Sequence, residues 1–170
     1  MRITPLSILI LLLQGLLLQA QEQVAFRNLT TADGLSSNQI NAIYRDSRGF
    51  LWVGTEEGLD RYDAYDFCNF SIRDGLPAKS ISSLSEDPQG RVWIVTSDGS
   101  VCYSYSEDRF LPGENALASL GITIKDIVAI GSNPEHSLFW VQGADALAVY
   151  STTQKRVVEF ATPGSKYVVP

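Results

Sequence analysis

Short runs of alternating apolar and polar residues dominate the chain after residue 20, and they predict strands. Ile40–Tyr44 alternates apolar and polar side chains, as a strand with one buried face does. Phe50–Thr55 is apolar, aromatic and β-branched almost throughout, which is typical of a strand covered on both faces. Between them, Asp46–Gly49 places Asp first and Gly fourth, as type I turns prefer. The pattern predicts an antiparallel hairpin.

The same pattern occurs twice. Residues 26–62 recur 41 positions later as residues 67–103, with 12 identities in 37 aligned pairs and no gap. A period of about 40 to 50 residues with Trp and Gly at fixed offsets is typical of a β-propeller blade. Each unit is therefore predicted to be a four-stranded meander whose repeated residues are structural. These framework residues are Asp46, Gly49, Trp52, Thr55, Gly58 and Tyr62, and then Asp87, Gly90, Trp93, Thr96, Gly99 and Tyr103.

A third, divergent unit follows when one insertion is allowed. Trp140 and Tyr150 are separated by 10 positions, as are the Trp and Tyr of the first two units, and we assign both to the framework. In this third unit, a turn is predicted at residues 132–135. In the first two units, the turns after the second strand end in Gly58 and Gly99, and both glycines are expected to adopt positive φ. The strands are predicted at residues 127–130, 138–141, 146–150 and 156–161.

We therefore predict an all-β fold, a partial β-propeller of about three four-stranded antiparallel blades plus an N-terminal closing strand at Phe26–Leu29. Closed propellers contain about four to eight blades, so the remaining blades of a longer parent chain are the expected partners. The alternative is a complete chain whose arcs assemble, for instance as a homodimer. The predicted units are 1–20 (signal peptide), 21–35 (closing strand and entry loop), 36–76, 77–122 and 123–162 (three blades), and 163–170 (start of a truncated blade).

The first 20 residues have the pattern of a secretory signal peptide. Arg2 precedes an apolar stretch from Leu6 to Leu18, and Ala20 offers a cleavage point. An uncleaved anchor helix is the alternative, but this stretch is shorter than the roughly 20 residues that span a bilayer. We expect a periplasmic or secreted protein with no membrane span in the remaining segment.

Composition narrows the function classes. The formal net charge is −6, and no basic cluster exists, which argues against nucleic acid as a partner. With one histidine, His136, and no cysteine pair at ligand spacing, we predict neither a metal site nor a cofactor. Cys68 and Cys102 lie outside the framework positions, since Cys68 aligns with Arg27 and Arg109, and Cys102 with Arg61. Free thiols are thus favoured over a disulfide.

The segment DGLSSNQINAIYRDSRGFLWVGTEEGLDRYDAYDF, residues 33–67, resembles the two-component regulator propeller repeat. The second unit departs from that pattern at Val95, where the family has Gly, and at Ser100–Cys102. The matching positions are Gly34, Leu35, Ser36, Asn38, Asp46, Gly49, Leu51, Trp52, Gly54, Thr55, Gly58, Leu59, Arg61, Tyr62 and Asp63.

The resemblance implies the periplasmic sensor region of a hybrid histidine kinase. It also implies an oligosaccharide ligand released from complex glycans, and no enzymatic activity in this segment. Two other functions stay open: the N-terminal part of an exported propeller enzyme that acts on polysaccharide, and a secreted interaction scaffold. A propeller enzyme would need two placed carboxylates or a metal at the axis.

Candidate binding residues lie in loops that lead from one blade to the next, at the predicted axial mouth of the ring. Binding residues concentrate on such loops. The alternative is ordinary strand capping by Ser and Asn. We expect Trp52 and Trp93 to be core residues, and Asp60, Asp63 and Asp66 to form a solvated blade edge. The candidates are Ser37, Asn38, Gln39, Lys79 and Ser80.

Overall fold

Three four-stranded antiparallel sheets form the structure, a computed structural model that describes residues 26–133 and 135–162. This confirms the predicted partial propeller. The first blade contains β1 (Ile40–Arg45), β2 (Leu51–Thr55), β3 (Leu59–Tyr62) and β4 (Phe67–Phe70). The second contains β5 (Ile81–Glu86), β6 (Val92–Thr96), β7 (Gly99–Ser104) and β8 (Arg109–Pro112). The third contains β9 (Ile127–Asn133), β10 (Leu138–Gly143), β11 (Leu147–Ser151) and β12 (Arg156–Ala161).

The strands follow chain order within every sheet, so each blade is a meander. β1 packs beside β5, and β5 beside β9, which brings the first strands of the three blades together. The sheets therefore fan out from a shared axis, with β1, β5 and β9 innermost and β4, β8 and β12 outermost.

Some predictions fall outside the described residues or differ from the structure. The signal peptide, the predicted truncated blade at 163–170 and part of the 132–135 turn are outside the described ranges. Residues 26–30 form no strand; a closing strand needs a partner from another blade, so that role stays a prediction. A short helix, α1 (Gly113–Ala118), was not predicted. It has no repeat counterpart and places Ala116 and Leu117 in the core between the second and third blades.

The 41-residue offset holds only through the third strand of the blade. Tyr62 lies opposite Phe67, whereas Tyr103 lies opposite Phe110, so the second blade has a longer third turn. Cys68 pairs with Arg61, and Leu111 pairs with Cys102, the repeat counterpart of Arg61. Cys68 therefore corresponds to Leu111 rather than to Arg109. Cys68 and Cys102 are both free thiols, as predicted; Cys68 is exposed and Cys102 is buried.

The tryptophans form the cores between blades. Trp52 is fully buried and stacks on Phe70, with ring centroids 5.8 Å apart, inside a cluster that joins the first two blades. Trp93 is also fully buried, in the cluster between the second and third blades. Both core assignments are confirmed. Trp140 has the same hairpin position but stays half-buried, since no further sheet among the described residues covers it.

The turn residues behave largely as the repeat predicts. The Gly49 and Gly90 amides donate to the carbonyls of Asp46 and Asp87, at 3.0 and 2.9 Å, which closes both first turns. Gly99 adopts φ 135°, as expected. The expectation for Gly58 is wrong, because its φ is not positive. Glycine is required there by a close approach instead: an added Cβ would lie 2.8 Å from the Phe70 carbonyl oxygen.

Asp60 does not belong to a solvated edge, contrary to expectation. It is fully buried in β3. Its carboxylate accepts from the Ser36 amide (3.0 Å), the Ser36 hydroxyl (2.5 Å) and the Asn69 amide group (2.6 Å). These bonds offset the desolvation of the carboxylate and fix the loop that enters the first blade.

Candidate functional site at the axial mouth

Two sets of loops share one end of the fan. Because the strands alternate in direction, the loop that enters each first strand lies at the same end as the turn between the second and third strands. A hydrogen bond joins the two sets directly in the first blade, where the Glu56 amide donates to the Gln39 carbonyl (3.2 Å). We call this end the axial mouth.

Each innermost strand has a register irregularity near its start, at the axial mouth. The skipped residues are Asn41 in β1, Ser82 in β5 and Val128 in β9, and all three are exposed. Bulges re-aim side chains and are frequent next to functional sites. Their recurrence at the same position makes Asn41, Ser82 and Val128 counterparts, and Gln39, Ser80 and Asp126, two residues earlier, are counterparts as well.

The candidates of the first blade mainly hold their own loop in place. The Asn38 side chain accepts from the Thr31 amide (3.0 Å), and the Ser37 hydroxyl accepts from the Gln39 amide (3.1 Å). The carbonyl of Gln39 accepts from Glu56 as above. These are the contacts expected if the Ser and Asn side chains cap the loop, which is the alternative to ligand binding. Their role in ligand binding stays a prediction.

The candidates of the second blade face the neighbouring blades. The Lys79 ammonium lies 2.8 Å from a Glu57 carboxylate oxygen, and this ion pair connects the first two blades at the mouth. Ser80 accepts from the Asn41 side chain at 3.4 Å. Ser80 also lines a cleft toward the third blade. Of the five candidates, Ser80 alone is among the residues that line this cleft.

The cleft lies between the second and third blades and has a volume of about 560 Å³. This size is typical of small-molecule sites, which span about 300 to 1,000 Å³. Its polar wall comes from both loop sets and from the bulge of β5. The lining residues are Ser80, Ser82, Val95, Thr96, Ser97, Asp98, Gly99, Asp126, Ile127 and Val128.

Val95 lies where the first blade has Gly54. Each pairs with the third residue of its innermost strand, Ala42 for Gly54 and Ser83 for Val95. A Cβ on Gly54 would lie 2.6 Å from Ile81 Cγ2, so the first two blades approach too closely for a side chain there. The second blade carries a valine at this position, and the valine lines the cleft. The departure from the repeat pattern thus coincides with the space between the second and third blades.

The hydroxyl groups of the cleft mostly direct their protons into the protein. Ser82 donates to the Val95 carbonyl (2.9 Å), Thr96 to the Gly99 carbonyl (2.8 Å), and Ser97 to the Asp98 carboxylate (2.9 Å). The lone pairs of the Ser82 and Ser97 oxygens, together with the carboxylates of Asp98 and Asp126, make the cleft rich in acceptors. Such a surface suits a ligand with many hydrogen-bond donors.

Sequence reasoning missed Ser82, Asp98 and Asp126. Asp126 could have been found by aligning the third blade through its bulge, but that blade retains too few repeat residues to reveal it. The sequence indicates only that Asp98 precedes Gly99, the glycine that ends a turn. Its counterpart Glu57 is in an ion pair, and the sequence does not show which of the two acidic residues borders open space.

The opposite end of the fan closes the interface of the first two blades. Ser47 donates from its amide (2.8 Å) and hydroxyl (2.5 Å) to the two Glu86 carboxylate oxygens, and the Arg48 guanidinium lies 4.1 Å from the Tyr105 ring centroid. The Tyr105 hydroxyl donates to Asp46. Burial, and then this bond to a carboxylate, raise the pKa of Tyr105 above its ordinary value. The tyrosine therefore stays a neutral donor.

Within residues 26–133 and 135–162, no group of three or more His, Cys, Asp or Glu side chains is placed to hold an ion. The helices in these ranges are also all too short and too polar to cross a bilayer.

Sequence comparison matches both strong repeats. The family described as two component regulator propeller matches residues 34–57 and 75–98. Over 62 residues, or 36% of this chain, the sequence is 36% identical to Histidine kinase P4 of Formosa agariphila. The chain spans 4% of that kinase.

Two solved structures share the fold. The extracellular domain of a hybrid two component system of B. thetaiotaomicron superposes with a TM-score of 0.57 and 24% identity, over 78% of this chain. The extracellular domain of a one component system of the same organism gives 0.54 and 18%, over 82% of this chain. The chain covers 20% and 21% of those two chains, about a fifth of their length.

Proposed function

Because the chain carries repeats of the two-component regulator propeller family, we propose that it forms part of a sensor propeller that detects oligosaccharides outside the cytoplasm. The cleft between the second and third blades carries this proposal. Oligosaccharides present many hydroxyl donors, and the cleft offers hydroxyl and carboxylate acceptors within a volume that suits a small ligand.

The position of the cleft also suits a sensor. Ser80 and Ser82 belong to the second blade, and Asp126 and Val128 to the third. A ligand that contacts both sides stabilises one relative arrangement of the two blades, and differential affinity of this kind is what shifts a conformational equilibrium. In our proposal, a histidine kinase in the same parent protein responds to that shift, and the segment itself catalyses no reaction.

The proposed partners are further blades of a longer chain. Trp140 is half-buried where Trp52 and Trp93 are covered by the next blade, and Ile43, at the other end of the arc, is 63% exposed. Light scattering on the 170-residue chain tests how these faces are covered. A monodisperse dimer would favour pairing of two arcs, whereas a monomer or a polydisperse species would favour missing blades.

Calorimetry with a panel of neutral, amino and acidic oligosaccharides tests the sensor proposal. At least one sugar should bind the full chain, and Ser82→Phe, which fills the cleft, should weaken its binding at least about tenfold. Glu57→Gln changes a residue of the mouth outside the cleft and should leave the affinity within about twofold. Absence of heat with every sugar, or equal binding by the Ser82 variant, would overturn the proposal.

A propeller enzyme is the second candidate, favoured by one observation. Asp98 and Asp126 line the same cleft, and glycoside hydrolysis commonly uses a pair of carboxylates. Incubation of the full chain with the sugar that it binds separates the two functions. Release of reducing ends that is lost in both Asp98→Asn and Asp126→Asn would support the enzyme, whereas an intact sugar would support the sensor.

A further inference from the structure

The first gap, between the first and second blades, and the second gap, between the second and third blades, differ at equivalent positions of the axial mouth. Glu57 and Asp98 are counterparts in the repeat, and Lys79 and Lys125 each lie three residues before a bulge. In the first gap, Lys79 neutralises Glu57 at 2.8 Å. In the second gap, no ion pair joins Lys125 to Asp98 within the part of the chain that the structure describes.

A second difference adds another negative charge to the second gap. Where the first gap has Ser80 on the entering loop, the second has Asp126, and both line the cleft. Asp98 and Asp126 also border a smaller adjoining space of about 320 Å³ on the side of α1. Asp98 and Asp126 therefore belong to the lining of both spaces.

Hydrogen-bond direction gives an independent indication of the ligand. Ser82, Thr96 and Ser97 already donate to protein acceptors, as described above. A ligand in the cleft meets the oxygen lone pairs of Ser82 and Ser97, whereas the Thr96 oxygen already accepts from the Asp98 amide at 3.3 Å. An ammonium group donates three hydrogen bonds and accepts none, and bonds between a cation and a carboxylate are about twice as strong as neutral ones.

Building on the proposed function, we propose that the cleft selects an amino sugar, with its protonated amine near Asp98 and Asp126. Neutral sugars of the same shape bind more weakly, because they provide hydroxyl donors without the charge. Sugars with carboxylate or sulfate groups are disfavoured, because like charges are brought together as the site loses water.

Titration calorimetry at pH 6 with glucosamine oligomers, their N-acetylated forms, glucose oligomers and glucuronate oligomers tests the inference. The free amine should bind at least about tenfold more tightly than its N-acetylated and glucose counterparts, and glucuronate should bind most weakly. Asp98→Asn and Asp126→Asn should each remove most of this preference while neutral sugars still bind. The preference should also decrease as salt is raised.

Glu57→Gln is the matched control, because it removes the same charge at the counterpart of Asp98 but in the first gap. It should keep the preference for the amine. An equal loss in Glu57→Gln would show that only the diffuse negative charge matters, and would overturn the inference. Equal or tighter binding of the neutral sugars would also overturn it but leave the sensor proposal intact, whereas failure of every sugar to bind would overturn both.

Discussion

The indole nitrogen of Trp52 donates a hydrogen bond of 2.8 Å to the carboxylate of Asp46, and both side chains are buried. Trp93 and Asp87 repeat this bond at 2.9 Å in the second blade. Asp46 also accepts from the amides of Arg48 and Phe50, each at 3.0 Å. A single carboxylate thus organises the first turn of the blade and orients the tryptophan of the core.

Asp46→Ala should therefore be strongly destabilising. The change leaves the Trp52 indole N–H and backbone amides of the turn without acceptors, and each buried donor left unpaired costs about 1–3 kcal/mol. We expect a loss of about 3 kcal/mol in the free energy of unfolding, measured by urea denaturation. Asp63→Ala is the control, since Asp63 is an exposed turn residue, and it should cost less than about 1 kcal/mol. Equal losses in the two variants would contradict the role of Asp46.

The tryptophans should differ in their contribution to stability. Trp52 is fully buried, so Trp52→Ala should cost about 3–5 kcal/mol. Trp140→Ala should cost clearly less in the 170-residue chain, because half-burial removes less apolar area from water. Chemical denaturation of both variants checks this order. A loss for Trp140→Ala equal to that for Trp52→Ala would indicate that another surface covers Trp140 in solution.

The sequence predicted the blades well because each rests on local signals. The Asp46–Gly49 turn, the apolar second strand and the Trp at a fixed offset all lie within about 20 consecutive residues. The repeat is a second signal, because two segments with the same residues adopt the same structure. Even in the third blade, Trp140 and Tyr150 keep the hairpin register of the first two.

Features that depend on neighbouring blades were not predictable in this way. The burial of Asp60 depends on Ser36, which is 24 positions earlier, and no periodic pattern connects them. α1 occurs in an insertion that breaks the repeat, so no second copy revealed it. The cleft depends on the distance between two sheets, and only the structure shows that Val95 lines it.

Gly54→Ala should destabilise the contact between the first two blades. Its Cβ would lie 2.6 Å from Cγ2 and 2.8 Å from Cβ of Ile81, which is itself fully buried. Overpacking of this kind costs about 1–3 kcal/mol. Ile81→Ala removes the Cγ2 contact at 2.6 Å and keeps the Cβ contact at 2.8 Å, so it relieves part of the clash. Gly54→Ala with Ile81→Ala should therefore cost less than the sum of the single changes. Urea denaturation of the four proteins measures this coupling, and strict additivity would contradict the steric explanation.

The two thiols should react at very different rates. Cys68 is exposed in β4, whereas Cys102 is fully buried and its pKa is raised to about 12, chiefly by desolvation. The thiolate is the reactive form, so only Cys68 should react with a thiol reagent at pH 8. We expect one fast equivalent in the folded protein and two in urea. Cys68→Ser should abolish the fast reaction, and a fast equivalent that persists in this variant would contradict the burial of Cys102.

Cys102 should also make the protein less stable at high pH. Burial raises its pKa from an ordinary value of 9.0 to about 12, so between these values the unfolded chain releases a proton that the folded chain keeps. Because the unfolded state then binds fewer protons, the free energy of unfolding falls as pH rises, by up to about 1.4 kcal/mol per pH unit from this group. Well below pH 9 both states keep the proton, and the group contributes no such slope.

Cys102→Ala isolates this contribution from the tyrosines and lysines that titrate in the same range. The difference in unfolding free energy between the parent chain and this variant should be constant from pH 7 to about pH 8.5. It should then shift toward the variant as pH rises to about 10.5, because alanine has no proton to lose. Urea denaturation at each pH gives the difference directly. A difference that does not change with pH would mean that the Cys102 thiol titrates equally in the folded and unfolded states.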